Sequence, residues 1–182
     1  MKEHNSIKKI AIVGPESTGK STLSAQLAEH YNTVWVPEYA REYCGKLTAP
    51  CTWEDEINMF RGQLKLEEKL LPLAKRLLIC DTTFITVKIW SDYMFGQSPR
   101  EVLDKLPLHP YDFYLLMDID LRWEEDPLRD FPHMREHFMG VWHKELKALN
   151  AEYHLISGSD SQRLKNAIQI IDPYLKRASM GF

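Results

Sequence analysis

Apolar positions along the chain fall into five short runs, each followed by a stretch with helical spacing. Ile10-Ala11-Ile12-Val13 is unbroken and rich in β-branched side chains, as expected of a strand buried on both faces. Thr33-Val34-Trp35-Val36, stopped by Pro37, predicts a second strand, and Arg76 to Cys80 a third. Phe113 to Met117 and Tyr153 to Ile156 predict the fourth and fifth. Between the runs, residues 21–30 carry Leu23, Leu27 and His30 at helical spacing, and Glu38 to Tyr43 predict a short helix ending near Gly45. A long helix is predicted over 52–74, opened by Thr52-Trp53-Glu54-Asp55 in the manner of a capping box, with Ile57, Phe60, Leu64 and Leu71 on its apolar face. Further helices are predicted over 84–95, over 99–106 with a stop at Pro107-Leu108-His109-Pro110, up to about Leu149, and over 161–175. Strands alternating with helices call for an α/β fold: a five-stranded parallel sheet with helices on both faces. No repeat, linker or low-complexity tract interrupts the pattern, so residues 1–182 are expected to form one domain.

The loop after the first strand turns this generic α/β pattern into a chemical one. Gly14-Pro15-Glu16-Ser17-Thr18-Gly19-Lys20-Ser21 fits G-x-x-x-x-G-K-[ST] and lies between a predicted strand and a predicted helix, the context that pattern requires. Its glycines let successive N–H groups turn inward, and the helix dipole adds positive charge where a polyphosphate would sit. Gly14, Glu16, Ser17, Thr18, Gly19, Lys20, Ser21 and Thr22 are therefore the expected ATP-binding residues, with Lys20 on the β- and γ-phosphates and Ser21 on Mg²⁺.

In such sheets ligands bind outside the carboxyl ends of the strands, so the residues after each strand are the next candidates. Asp81 follows four apolar residues and is expected to complete the Mg²⁺ shell or meet a substrate hydroxyl; a helix N-cap is the bland alternative. Glu38, after the second strand, is expected to accept the proton of the attacking alcohol, against the alternative of a surface carboxylate favoured by a helix dipole. Arg41 can pair with Glu38, hold a phosphate or ribose, or simply be solvated. The segment from Asp118 to Arg135 carries Arg122, Arg129 and Arg135 among carboxylates and is expected to form a lid that brings Arg129 onto the transferring phosphoryl group and keeps water out. Arg163, closing the segment after the fifth strand, is assigned to the nucleotide. Tyr39, Tyr43, Phe84, Trp90 and Tyr93 are expected on the acceptor side, where aromatic faces would hold a cationic ring, or else in the core. Tyr39, Arg41, Thr82 and Trp90 join Glu38 and Asp81 as the expected acceptor-binding residues.

Composition narrows the partners. A net charge of −3 leaves no basic footprint for nucleic acid, so a small-molecule partner is expected and a polynucleotide is not. The polar segment Met1–Ser6 leaves no room for a signal peptide, and the apolar runs are too short to span a bilayer, which predicts a cytoplasmic protein. Cys44, Cys51 and Cys80 form no C-x-x-C pair and read as free thiols, with Cys80 buried. His133-Met134-Arg135-Glu136-His137 matches a zinc-peptidase pattern, H-x-x-E-H, but two histidines on a charged helix with little chain left for a further ligand read as solvated.

The phosphate loop, Glu38-Tyr39-x-Arg41-Glu42, Asp81-Thr82-x-Phe84-Ile85-Thr86 and Trp123-x-x-Asp126-x-x-Arg129 occur in that order. In this the chain resembles, from about Lys9 to Leu175, the ribosylnicotinamide kinase domains of the NadR family of bacterial NAD-salvage proteins. The resemblance implies a P-loop kinase fold and transfer of the ATP γ-phosphate to the 5′-hydroxyl of nicotinamide riboside, giving nicotinamide mononucleotide. No helix-turn-helix is expected before Lys8 and no H-x-G-H adenylyltransferase signature occurs, so repression and the second step of NAD synthesis are not implied. Where the family tends to have Asp-Gly before the lid leucine, this chain has Asp126-Pro127, implying a stiffer lid. The alternatives are a kinase of another nucleoside or small alcohol, and a non-catalytic ATP-binding module. The Asn-Lys-x-Asp of guanine-nucleotide switches is absent.

Overall fold

The computed structural model describes residues 7–108 and 111–179; Met1–Ser6 and the His109-Pro110 half of the predicted stop lie outside them. Five strands, β1 (Lys8–Val13), β2 (Trp35–Val36), β3 (Leu77–Asp81), β4 (Phe113–Met117) and β5 (Tyr153–Ile156), form one parallel sheet in the order β2-β3-β1-β4-β5. The chain thus has the α/β P-loop fold that its alternating pattern predicts. Ile10 through Val13 are fully buried in the central strand, which explains why that run shows no polar alternation.

The pleat divides the core in two. Ile10 and Ile12 point to a cluster with Leu23 and Leu27 of α1 (Lys20–His30) and Ile171 and Leu175 of α7 (Asp160–Ser179). Ala11 and Val13 point the other way, into a cluster built by five helices: α2 (Tyr39–Cys44), α3 (Trp53–Leu70), α4 (Ile85–Phe95), α5 (Arg100–Lys105) and α6 (Arg135–Ala148). That second layer walls the cleft described below.

Two elements depart from the predicted pattern. The edge strand β2 keeps only two of its four predicted residues: Thr33 instead turns its hydroxyl to Leu77 O at 2.6 Å, and Pro37 has no N–H with which to continue the ladder. The predicted capping box does open α3, with Asp55 N on Thr52 Oγ1 at 3.3 Å and Thr52 N on Asp55 Oδ2 at 2.8 Å. The helix stops at Leu70, however, and Pro72 lies in a 3₁₀ turn over Leu71–Leu73. Its buried stripe is Glu56, Met59, Phe60, Gln63 and Glu67 rather than Ile57, Phe60, Leu64 and Leu71, and Leu71 is 38% exposed. The apolar spacing marks a face turned by about one residue because the inward stripe is partly polar, and polar groups facing a cleft leave no trace in a hydrophobic period.

Candidate functional site

All five segments that follow the strands line one cleft of about 760 Å³. Its floor is the turn from β1 into α1. Gly14 has φ 137° there, and a Cβ on it would stand 3.0 Å from Met117 O of β4; Gly19, with φ 76°, caps α1. Side chains rarely adopt such backbone angles, and Gly14 has no room for one. Thr18 Oγ1 donates to Pro15 O at 2.8 Å and closes the turn. Lys20 Nζ folds back onto the loop, donating to Gly14 O at 3.1 Å and Pro15 O at 2.7 Å. Burial pushes its ammonium pKa down, while the nearby charges of Glu38, Asp81 and Glu16 hold it up.

Ser21, one residue on, hydrogen-bonds the carboxyl of Asp81. Asp81 is 1% exposed, and its Oδ1 has no hydrogen-bond partner among the described residues. Burial first, and the charge of Glu38 second, push this carboxyl up to about 6. A buried carboxylate oxygen without a partner, beside a hydroxyl and a second carboxylate, is a donor set that fits a hard divalent cation such as Mg²⁺. Glu38 lines the cleft at the start of α2, its side chain not engaged in capping that helix.

The segment over 118–135 lies across the phosphate loop. Glu124 N donates to Ser17 Oγ at 2.8 Å, and Phe131 N to Glu16 Oε2 at 3.4 Å. Arg129 Nη1 reaches Glu124 O at 2.6 Å and Ser17 Oγ at 3.5 Å; Arg135 bonds Leu121 O at 2.8 Å and Ser17 O at 3.3 Å. Arg122 and Arg129 line the cleft, so two of the three predicted lid arginines face it. Arg41 meets neither Glu38 nor bulk solvent alone: its guanidinium pairs with Asp126, whose other oxygen accepts Leu128 N at 2.9 Å. Arg163, 4% exposed, bonds Thr18 O, Gly158 O and Asp120, bracing the loop from α7. Thr82 lines the cleft beside Asp81 with φ 61°.

The aromatic expectations need correction. Of Tyr39, Tyr43, Phe84, Trp90 and Tyr93, Trp90 alone lines the cleft. The Tyr39 ring fills the space a side chain would take at Gly62, Tyr43 donates to Asp55 Oδ1 at 2.8 Å, and Phe84 packs edge-on against Phe60 at 5.5 Å in the core. Tyr93 is 40% exposed. The other aromatic lining comes instead from Phe131, Phe138 and Trp142, with Trp90 stacked on Phe131 at 5.4 Å and tilted against Phe138 at 4.8 Å. Phe138 and Trp142 read in sequence as an ordinary i, i+4 core pair, and nothing in their spacing distinguishes a cleft wall from a core. Glu56 and Gln63 of α3 also line the cleft, both buried, and both escaped the sequence reading. Glu56 sits next to the capping-box Asp55 and looks like one more acidic residue of a first turn. His137 of the zinc-like pattern is near the rings of Tyr93 and Phe138. Among the described residues no helix is long and apolar enough to cross a membrane.

A family model for an AAA domain matches residues 9–163. The trifunctional NAD biosynthesis/regulator protein NadR of Salmonella typhimurium is 26% identical over 160 residues, covering 85% of this chain and 39% of that protein. Its Escherichia coli counterpart is 24% identical over 172 residues, 91% of this chain and 42% of that protein. The chain therefore spans about two fifths of the length of these curated relatives. A crystal structure of NadR protein in complex with NR superposes with a TM-score of 0.76 at 21% identity, over 93% of this chain and 51% of that one. Thymidylate kinase from Ehrlichia chaffeensis superposes with 0.64 at 16% identity, over 93% and 99%. The resemblance to NadR found in the motifs thus extends over sequence and fold, and the fold is shared with P-loop kinases more widely.

Proposed function

The chain belongs to this AAA domain family, and on that premise we propose that it is an ATP-dependent nucleoside kinase that phosphorylates nicotinamide riboside at its 5′-hydroxyl. The observation that carries the reading is the continuity of one cleft that is lined by a complete phosphate loop, by Glu38, with Asp81 buried beside it and Lys20, and by the aromatic side chains of Trp90, Phe131, Phe138 and Trp142. That the acceptor is nicotinamide riboside is supported by the similarity to NadR, one of whose structures holds NR.

In this mechanism the triphosphate takes over from the carbonyls of Gly14 and Pro15 as the partner of Lys20. The phosphate-loop N–H groups hold the β- and γ-phosphates, with Arg163 keeping the loop in shape from behind. Ser21 and Asp81 would hold Mg²⁺, which would supply positive charge to the phosphate oxygens. Glu38 accepts the 5′-hydroxyl proton as the ribose oxygen forms its bond to the γ-phosphorus and the bond from that phosphorus to the bridging oxygen of ADP breaks. Arg122 and Arg129 add positive charge over the transferring group, and the 118–135 lid keeps water from taking the acceptor's place.

ADP release measured with nicotinamide riboside, uridine, deoxynucleosides and shikimate tests the reading. Turnover stimulated most strongly by nicotinamide riboside is expected. A preference for another acceptor would overturn the specificity, and ATP binding with no acceptor-stimulated turnover would make the protein a non-catalytic module.

A further inference from the structure

We infer that Glu56 is the specificity-determining residue at the base end of the acceptor cleft, selecting a base that offers hydrogen-bond donors and bears no negative charge. The inference deepens the nucleoside-kinase reading and rests on it for the orientation of the acceptor.

The orientation follows from α3. Gln63 accepts the main-chain N–H of Tyr39 at 2.8 Å through Oε1, which fixes it beside Glu38 and leaves its Nε2, buried and without a partner among the described residues, as a donor to the cleft. Glu56 lies on the same face two turns earlier, about 10 Å along the helix axis. A nucleoside whose 5′-oxygen meets Glu38 therefore runs along α3 with its base toward Glu56, beside the cluster of Trp90, Phe138 and Trp142 that lines this part of the cleft.

The chemistry follows from what surrounds Glu56. Its side chain lines the cleft but is only 4% exposed, and Oε2 has no hydrogen-bond partner among the described residues. Leaving a buried carboxyl oxygen unsatisfied is costly, and a ligand N–H removes that cost. The groups that face it are the Cys51 thiol, 3.7 Å from Oε1, the Ser91 hydroxyl on α4, which with the thiol favours the charged form, and Asp55 on its own helix, which disfavours it; none is a cation. The cations lining the cleft, Lys20, Arg41, Arg122, Arg129 and Arg163, come from the phosphate loop, α2, the lid and α7, and none comes from α3, α4 or α6. A carboxylate on the incoming base would thus meet another carboxylate in a buried site with no counter-ion, whereas a carboxamide, an amine or a cationic ring would satisfy it. Burial pushes the Glu56 carboxyl up to about 7, which keeps it responsive to what binds beside it.

The test is titration calorimetry on the full chain with nicotinamide riboside and nicotinate riboside, which differ only in carboxamide against carboxylate. The wild type is expected to bind the amide at least about tenfold more tightly, since one lost or repulsive buried contact is worth a factor of that size. Glu56→Gln should cut this ratio severalfold by improving nicotinate riboside binding, with the ATP dissociation constant unchanged. An unchanged ratio in a folded Glu56→Gln protein would overturn the inference, as would a wild type that binds neither nucleoside. The wild type alone offers a second reading: its affinity for nicotinate riboside should rise from pH 8 to pH 6 as Glu56 takes up a proton, and a flat profile counts against the role. Discrimination in binding without any ATP-dependent turnover would sink the kinase reading and leave the role of Glu56 standing.

Discussion

The two ends of the cleft are built on opposite principles. At the phosphate end most polar groups already hold one another: Lys20 on Gly14 O and Pro15 O, Ser17 Oγ on Glu124 N, and Arg163 on Thr18 O and Asp120, while Asp81 Oδ1 and, in the lid, Trp123 Nε1 and Arg135 Nε are buried without a partner among the described residues. At the acceptor end Glu56 Oε2, Gln63 Nε2 and Thr86 Oγ1 are buried with no partner among the described residues. A triphosphate must therefore displace internal bonds, which it can do because its charge exceeds that of the carbonyls it replaces. An acceptor meets groups whose hydrogen bonds are still unmade, so it gains by satisfying them and loses heavily if it cannot. On the proposed reading, one end would supply binding common to every nucleoside triphosphate, and the other would supply choice.

The sharpest way to break this comparison is at the junction of the two ends. Glu38→Gln keeps the shape but removes the proton acceptor, and kcat should fall by about 10²- to 10⁴-fold at every Mg²⁺ concentration. Asp81→Asn should instead raise the Mg²⁺ requirement and recover in part at high Mg²⁺. A Mg²⁺ titration of both variants decides the assignment: Asp81→Asn dead throughout with Glu38→Gln near normal would exchange their roles. Lys20→Ala tests the phosphate end. Loss of one preorganised charge should cost about 2.7–4 kcal/mol of transition-state stabilisation, a fall of about 10²- to 10³-fold in kcat. Single-turnover kinetics near the wild-type rate would remove the loop from the chemistry.

The acceptor end makes the smaller prediction, on stability. The folded carboxyl of Glu56 is raised to about 7, above its ordinary 4.5, so between those values the native state binds more protons than the unfolded chain. Stability should therefore fall as pH rises from about 4.5 to about 7 and level off above, Glu56 accounting for up to about 3 kcal/mol. Glu56→Gln should lose that component. Denaturant midpoints at pH 4.5 and 7.5 check it, and identical pH dependence in the two proteins would mean that the carboxyl is not buried in the charged state.

Much of the framework was legible in the residues. β4 and β5 occupy the predicted 113–117 and 153–156, the box at Thr52 and Asp55 opens α3, and the strand–loop–helix around Lys20 stands where its pattern put it. The failures share a cause. Thr33 and Val34 left β2, the inward face of α3 proved to carry Glu56 and Gln63, and the cleft aromatics proved to be Phe131, Phe138 and Trp142 rather than Tyr39, Tyr43, Phe84 and Tyr93. In each case the outcome depended on a partner distant in the chain.

That division has a physical basis. The phosphate loop is contiguous, and two glycines with positive φ followed by a helix start fix its shape through neighbours a few residues away. Local sequence therefore determined it, together with the alternation that demands a parallel sheet. The acceptor end is assembled from α3, α4 and α6, whose side chains meet only after the sheet has formed. Periodicity reports that a face is turned inward and says nothing of whether it meets a core, a wall or a cavity. Only the tertiary structure decided that a glutamate two turns from Gln63 would lie buried, unpartnered and facing the place where a base would bind.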